Sequence, residues 1–313
     1  MSGAPEAAAL ATEVAGIRFQ NPVLLAAGTA AYGREIAGVM ALDELGGLVT
    51  KAVSVEPRGG APAPRVADFD GGMINAVGLA NPGVDEVRAR HLPWLAGALR
   101  RARVFVNVVG RVVEDFAEVI AMLDDAGGFH AYEINVSCPN TRAGGLEFGA
   151  DPDALHEVVR RARAATRRPL FVKLSPILAD IGASARRAVD AGADGITVVN
   201  TIPGLVVDLS SRRAALGFGT GGVSGPGLRP VGVLATWKVR QAVRVPIIGV
   251  GGIVTAEDAV QYVVAGASLV AVGTAALADP RAPARLVHGL TQWCAQQRVG
   301  RLADLVGTLQ MPA

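Results

Sequence analysis

Four times along this chain a helical stretch runs into Ala-Gly or Gly-Gly and a short apolar strand follows. The four are "ELGGLVTK" (44–51), "DAGGFHAYEIN" (125–135), "DAGADGITVVN" (190–200) and "VAGASLVAVGT" (264–274). Glycine closes a helix because it accepts the left-handed conformation at the C-cap. A run of such units builds a parallel sheet with helical crossovers. Eight strands are expected, near 23–26, 47–50, 104–107, 131–135, 170–173, 195–199, 246–250 and 268–272. The helices between them include 114–126, 152–165, 177–191 and 256–265. Eight strands in about 250 residues argue for a closed (β/α)8 TIM barrel over an open sheet. No linker divides the chain, so 1–313 reads as a single α/β domain with rim insertions at about 54–82 and 201–229.

Half of the residues are hydrophobic while aromatics make up only 4%, so small and β-branched side chains must do the packing. Net charge is +2 without a long basic or acidic block, which argues against nucleic-acid binding driven by phosphate charge. Cys138 and Cys294 stand far apart and the four histidines are scattered. No metal cluster is expected; the two cysteines could form one disulfide, but free thiols in a reducing compartment suit the cysteine usage better. The first residues have neither a basic nor a long apolar region, so no secretory leader is expected. Residues 259–278 carry no charge and are about long enough to span a bilayer. They are interrupted by Gln261, Gly266, Ser268, Gly273 and Thr274, and read as helix, glycine turn and strand. A cytoplasmic protein without a membrane span is the expectation.

The strand ends carry the chemistry. Lys51 ends the second strand, Asn107 the third, Asn135 the fourth, Lys173 the fifth and Asn200 the sixth. One asparagine at a strand end marks only a polar edge. Five amide or amine groups converging on the C-terminal mouth of a barrel mark a site. Gly251-Gly252 and Gly273-Thr274 follow the last two strands, where backbone N–H groups can cradle a phosphate. From Leu209 to Ala256 there is no acidic residue, yet Arg212, Arg213, Arg229, Lys238, Arg240 and Arg244 occur there. Gly217, Gly219 and Gly222 match a dinucleotide-binding spacing, but no convincing strand precedes them and no acid lies about 20 residues on. They are expected instead in a loop closing over a flat ligand, with Gly225 close by. His91, His156 and His288 read as helical and His130 lies at the wrong end of its strand, so neither a catalytic triad nor a metal site is supported. Phosphate binding, amides, two lysines and a thiol suit a flavin mononucleotide (FMN) and a planar substrate. Lys173 keeps a rival role as a Schiff-base lysine in an aldolase-type lyase, although such a lyase has no use for the asparagine set.

Six motifs then resemble dihydroorotate dehydrogenases: "INAVGLANPG" (74–83), "EINVSCPN" (133–140), "FVKLSP" (171–176), "VVNTIPG" (198–204), "GGVSGPGLRP" (221–230) and "IIGVGGI" (247–253). The resemblance runs from about Val14 to Ala278. The cysteine in "SCPN" is similar to class 1 enzymes, and "NTIPG" with the loop after it resembles the NAD-linked B type. That resemblance implies oxidation of dihydroorotate to orotate in pyrimidine biosynthesis, with Cys138 as the general base. It implies substrate contacts from Lys51, Asn75, Ala76, Val77, Gly78, Leu79, Asn135, Asn200 and Thr201, with Asn140 nearby. It implies FMN contacts from Ala27, Lys51, Ala52, Asn107, Asn135, Lys173, Val199 and Gly225, with the phosphate on Gly251, Gly252, Gly273 and Thr274. Ala27 is a departure, because the family often has serine there and a hydroxyl contact is lost. The B-type resemblance also implies a partner subunit carrying FAD and a [2Fe-2S] cluster, and a homodimer within a heterotetramer. Fumarate-linked and dihydropyrimidine dehydrogenase-like enzymes are the alternatives within reach of the same motifs.

A free thiol has a pKa of about 8.5 and can accept a proton near neutral pH when slightly tuned. Residues 139–151, with Gly144, Gly145 and Gly149, are expected to act as a lid that excludes water. Cys294 is expected to be an inert buried thiol. Glu133 shares side-chain parity with Asn135 and is expected inside the barrel, held by a lysine or a hydrogen-bond network.

Overall fold

The computed structural model describes residues 9–137 and 148–312. The chain opens with an antiparallel hairpin, β1 (Thr12–Val14) and β2 (Ile17–Phe19). It continues through β3 (Val23–Leu25) and β4 (Gly47–Val49) into a first rim segment with β5 (Val66–Phe69) and β6 (Gly72–Asn75). Next come β7 (Arg103–Val108), β8 (Ala131–Asn135), β9 (Leu170–Leu174) and β10 (Gly195–Val198). A second rim segment holds β11 (Ile202–Gly204), β12 (Val207–Asp208), β13 (Arg213–Ala214) and β14 (Gly221–Ser224), before β15 (Ile247–Val250) and β16 (Leu269–Val272). Strands β3, β4, β7, β8, β9, β10, β15 and β16 close into a parallel barrel in that order, with β16 pairing back to β3. The two rim segments join each other in one antiparallel sheet, β11-β14-β6-β5, above the barrel mouth.

The strand period of two sorts the side chains. Leu24, Val49, Phe105, Ala131, Phe171, Ile248, Val250, Leu269 and Ala271 form one buried cluster inside the barrel. Their alternates, such as Leu25, Leu48, Val106, Ile134, Val172 and Val270, belong to the larger cluster shared with the helices. Val14 and Phe19 of the β1–β2 hairpin join the inner cluster. The ring of Phe19 lies 6.2 Å from that of Phe105, which lies 5.2 Å from that of Phe171. The hairpin therefore plugs the bottom of the barrel. Gly195 makes room for this stack, since a Cβ there would lie 2.2 Å from Cε1 of Phe171.

Helix ends follow local chemistry. Pro152–Ala165 starts where the Asp151 carboxylate accepts from the N–H groups of Asp153 and Ala154, and it buries Leu155, Val158, Val159 and Ala162 at helical spacing. Ala256–Ala265 is opened by the reciprocal Thr255–Asp258 cap and closed by Gly266 at φ +131. The helix expected from 177 begins instead at Ile181, because Asp180 caps it by accepting from Ala183 N–H at 2.9 Å. Residues 259–278 divide among the end of one helix, β16 and the short helix Thr274–Ala278, and among the described residues no helix is long and apolar enough to cross a membrane.

The expected loop over a flat ligand around Gly217, Gly219 and Gly222 is corrected. Gly222 lies within β14, where a Cβ would sit 2.0 Å from Oγ1 of Thr201, and a Cβ on Gly217 would sit 2.2 Å from the Ala63 carbonyl oxygen. Gly217 and Gly222 permit close approach at and beside the rim sheet, while a Cβ on Gly219 would meet nothing within 4 Å.

At the bottom of the barrel the Val104 N–H donates to Nδ1 of His130 at 3.1 Å, and Nη1 of Arg103 lies 3.3 Å from Nε2. Burial, then the charges of Arg103 and Arg168, hold the pKa of His130 below its ordinary value. The unfolded chain therefore binds this proton more readily than the folded one. The ring's contribution is complete above the unfolded pKa of about 6.5 and declines as pH falls through it. In urea melts between pH 7.5 and 5, His130→Gln is expected to show a shallower acid loss of stability than the parent chain. Parallel acid limbs would contradict this.

Candidate active site

The inner face of the barrel changes character toward the C-terminal ends of its strands. Two residues on from Phe105 comes Asn107. Ala131 is followed at the same spacing by Glu133 and Asn135, Phe171 by Lys173, and Gly195 by Thr197. Asn135, Lys173 and Thr197 lie side by side in register across β8, β9 and β10. This polar layer floors a cleft of about 300 Å³ lined by Lys51, Asn75, Asn107, Asn135, Lys173 and Asn200 among others.

Glu133 is 1% exposed and accepts from Nδ2 of Asn107 at 2.7 Å. Its inward position agrees with its parity, and a network with Asn107 holds it, without a lysine ion pair among the described residues. Because Nδ2 is committed to Glu133, Oδ1 of Asn107 is turned elsewhere. It is buried without a hydrogen-bond partner among the described residues, as is Oγ1 of Thr197. Lys173 is only 6% exposed. Leaving a buried polar group unpaired costs about 1–3 kcal/mol, and a charged one more. Asn107, with its unpaired Oδ1, and the buried Lys173 both line the cleft floor.

The rim wall is built from turns. Gly78 (φ +70) and Leu79 (φ +57) adopt the left-handed conformation. Asn81 holds them, donating to the Leu79 carbonyl at 2.8 Å and accepting from Gly83 N–H at 2.9 Å. Beside Lys51, the Tyr32 hydroxyl donates to the Ala52 carbonyl at 2.9 Å, and burial pushes its pKa well up. The Tyr32 ring stacks on His91 at 4.2 Å.

At the opposite end, Gly251 (φ +125) and Gly252 (φ +68) turn the chain after β15. The buried Tyr262 hydroxyl donates to the Gly251 carbonyl at 2.6 Å. Two glycines accommodate that tyrosine: a Cβ on Gly232 would lie 2.0 Å from its oxygen, and one on Gly249 would lie 2.4 Å from its Cδ1. Arg229 pairs with Asp258, whose other oxygen accepts from the Val254 and Thr255 N–H groups at 3.0 and 2.9 Å. After β16, Gly273 precedes the short Thr274–Ala278 helix, which has no side-chain N-cap. The Thr274 hydroxyl donates to Oγ of Ser224 at 2.7 Å and ties the rim sheet to the barrel. Removing the Tyr262 hydroxyl alone, as Tyr262→Phe, is expected to cost about 1 kcal/mol. A thermal melt reads that loss, and an unchanged melting temperature would contradict it.

Lys51, Asn75, Val77, Gly78, Leu79, Asn135, Asn200 and Thr201 line the cleft, as do Ala27, Ala52, Asn107, Lys173, Val199, Gly251, Gly252, Gly273 and Thr274. Ala76 does not line it, because its side chain turns into the small apolar core of the rim sheet. Gly225 lies behind the wall, its carbonyl 2.8 Å from where a Cβ on Gly252 would sit. Cys138, Asn140 and most of the expected lid fall outside the described residues. Cys294 is buried, and burial raises its pKa. Gly28, Thr29, Met73, Ser224 and Leu277 also line the cleft. Of these, the sequence signalled only Ser224, which lies within the "GGVSGPGLRP" motif.

A closed barrel with its polar cleft at the strand C-termini and glycine turns after the last two strands defines a (β/α)8 barrel enzyme. The family model for dihydroorotate dehydrogenase matches residues 9–293, and the chain belongs to that family. It is 48% identical, over 96% of its length and 98% of the other's, to a Solibacter usitatus protein provisionally named dihydroorotate dehydrogenase A (fumarate). It is 42% identical, over the same shares, to a Pelobacter propionicus protein named dihydroorotate dehydrogenase B (NAD(+)), catalytic subunit. A crystal structure of DHODH from Eimeria tenella in complex with ferulenol superposes with a TM-score of 0.83 at 25% identity, covering 97% of this chain and 88% of that one.

Proposed function

We propose that this chain oxidises dihydroorotate to orotate in pyrimidine biosynthesis, as the FMN-binding catalytic subunit of an NAD-linked enzyme in the cytoplasm. The observation that carries the reading is the cleft floor, where Asn107, with its unpaired Oδ1, and the buried Lys173 line a cavity bounded by glycine turns. These groups fit FMN. An isoalloxazine edge carries both carbonyl and N–H functions to meet them, and backbone N–H groups at Gly251, Gly252, Gly273 and Thr274 suit its phosphate. Bound there, FMN supplies a hydride acceptor. Lys173 and Asn107 hold its ring, with Ala27, Ala52 and Val199 as apolar walls. Ala27 lacks the hydroxyl often found in the family, so the contact at that position falls to its backbone.

The other residues act on the substrate. Lys51 faces its carboxylate, and Asn75, Asn135, Asn200 and Thr201 fix the ring, with Val77, Gly78 and Leu79 shaping the pocket and Asn140 nearby. Cys138 follows Asn135 by three residues and takes the proton from one ring carbon as hydride leaves its neighbour. Membership of a dehydrogenase family weighs against the lyase reading of Lys173.

Electrons must then leave the chain. Relatives named as B-type catalytic subunits favour a partner subunit, to which we assign FAD and a [2Fe-2S] cluster, in a heterotetramer built on a homodimer. The 48% relative favours fumarate as acceptor instead. Anaerobic re-oxidation of the substrate-reduced protein separates them. Under the NAD-linked reading fumarate does not restore the colour, and NAD does so only once the partner subunit is added. Recolouring by fumarate alone would overturn it in favour of the second reading.

A further inference from the structure

Ser137 is 1% exposed and stands between two asparagines of the cleft. Nδ2 of Asn200 donates to the Ser137 carbonyl and to its Oγ, each at 2.9 Å, while Oδ1 of Asn200 accepts from Thr201 N–H at 2.8 Å. Oγ of Ser137 in turn donates to Oδ1 of Asn135 at 3.2 Å, and the Ser137 N–H approaches the same oxygen at 3.4 Å. Backbone N–H and C=O groups cannot exchange roles, so they settle which end of each amide is oxygen and which is nitrogen. The result is asymmetric. Asn200 has used both of its N–H donors and keeps a lone pair on Oδ1. Asn135 has used its oxygen and keeps both N–H donors free of hydrogen bonds among the described residues.

We infer that Ser137 is a positioning residue that sets the polarity of this asparagine pair. Asn135 offers donors to a ligand carbonyl, and Asn200 offers an acceptor to a ligand N–H. Together they read a cyclic-amide edge of the kind that orotate carries. The inference rests on the proposed function and deepens it. A hydroxyl at 137 is required because one atom must accept from Asn200 while donating to Asn135. Alanine keeps only the backbone contacts, the carbonyl that accepts from Asn200 and the longer N–H approach to Asn135.

The test is orotate binding to the FMN-loaded protein, followed by the change in flavin absorbance. Ser137→Ala is expected to weaken orotate about tenfold, equivalent to about 1.4 kcal/mol. In turnover the larger share of the loss falls on KM for dihydroorotate. Ser137→Thr, which keeps the hydroxyl, recovers most of the affinity. Orotate methylated on the ring nitrogen that faces Asn200 provides a second readout, since the preference for orotate over this analogue shrinks in Ser137→Ala. Unchanged orotate affinity in Ser137→Ala overturns the positioning role alone. So does an affinity loss that tracks flavin loss and that threonine does not rescue. A parent protein that binds FMN but neither binds orotate nor responds to dihydroorotate overturns both this inference and the reading beneath it.

Discussion

Cys138→Ala is expected to slow anaerobic reduction of the flavin by dihydroorotate about 10²–10⁴-fold, the range for loss of a general base. Flavin content is expected to stay unchanged, because Asn135 on the same strand is untouched and the other groups assigned to hold FMN lie on other strand ends and turns. The pH profile adds a second check. A thiol has an ordinary pKa of about 8.5 and is a base only when deprotonated. The rate of reduction in the parent protein should therefore rise with pH and level off once the thiol has ionised. Cys138→Ser should keep rising beyond that point, since a serine hydroxyl does not ionise in the range. A stopped-flow rate for Cys138→Ala within threefold of the parent would contradict the assignment.

The second large effect is expected at Gly252. A Cβ at this position would lie 2.7 Å from the Arg229 backbone nitrogen and 2.8 Å from the Gly225 carbonyl oxygen. Both neighbours are backbone and cannot swing aside. The residue also has φ +68, a conformation in which a β-branched side chain is a genuine outlier. Gly252→Val is expected to cost on the order of 3 kcal/mol or more locally, combining backbone strain with overpacking. The turn must then open, and the protein should purify without flavin. Gly227→Ala is the matched control, because a Cβ there meets nothing within 4 Å and flavin should be retained. Equal flavin occupancy in the two variants, read from the ratio of visible to ultraviolet absorbance, would contradict the role of the turn.

The barrel was legible because four of its eight strands end a repeated local unit. Ala-Gly or Gly-Gly closes a helix, and four or five apolar residues follow. The strand-end residues were legible for the same reason, since a period of two runs unbroken from Phe171 to Lys173 and from Ala131 to Asn135. Lys51 and Lys173 had a further signal: with Lys238 they are the only lysines in the chain, and both line the cleft.

Other features depend on partners far away in sequence. The β1–β2 hairpin has three-residue strands, too short to show a period, and only the closed barrel gives Val14 and Phe19 their place. The rim sheet joins β6 to β14 across a separation such as Asn75 to Gly222, and no local pattern announces that pairing. Gly217 and Gly222 were therefore misplaced, their need for close approach being set by Ala63 and Thr201. Ser137 shows the same limit at the site. Its identity matters because of Asn200, which lies 63 positions further along the chain. Ser224 and Tyr262 likewise act through single atoms supplied by distant elements, the Thr274 hydroxyl and the Gly251 carbonyl.

The most direct test of the whole account is an absorbance spectrum of the purified chain, taken before and after anaerobic addition of dihydroorotate. A yellow protein that bleaches on the first addition is the predicted result, and it would establish flavin and substrate together. A colourless protein that FMN cannot reconstitute would contradict the flavin site. A yellow protein that dihydroorotate leaves unbleached would contradict the substrate.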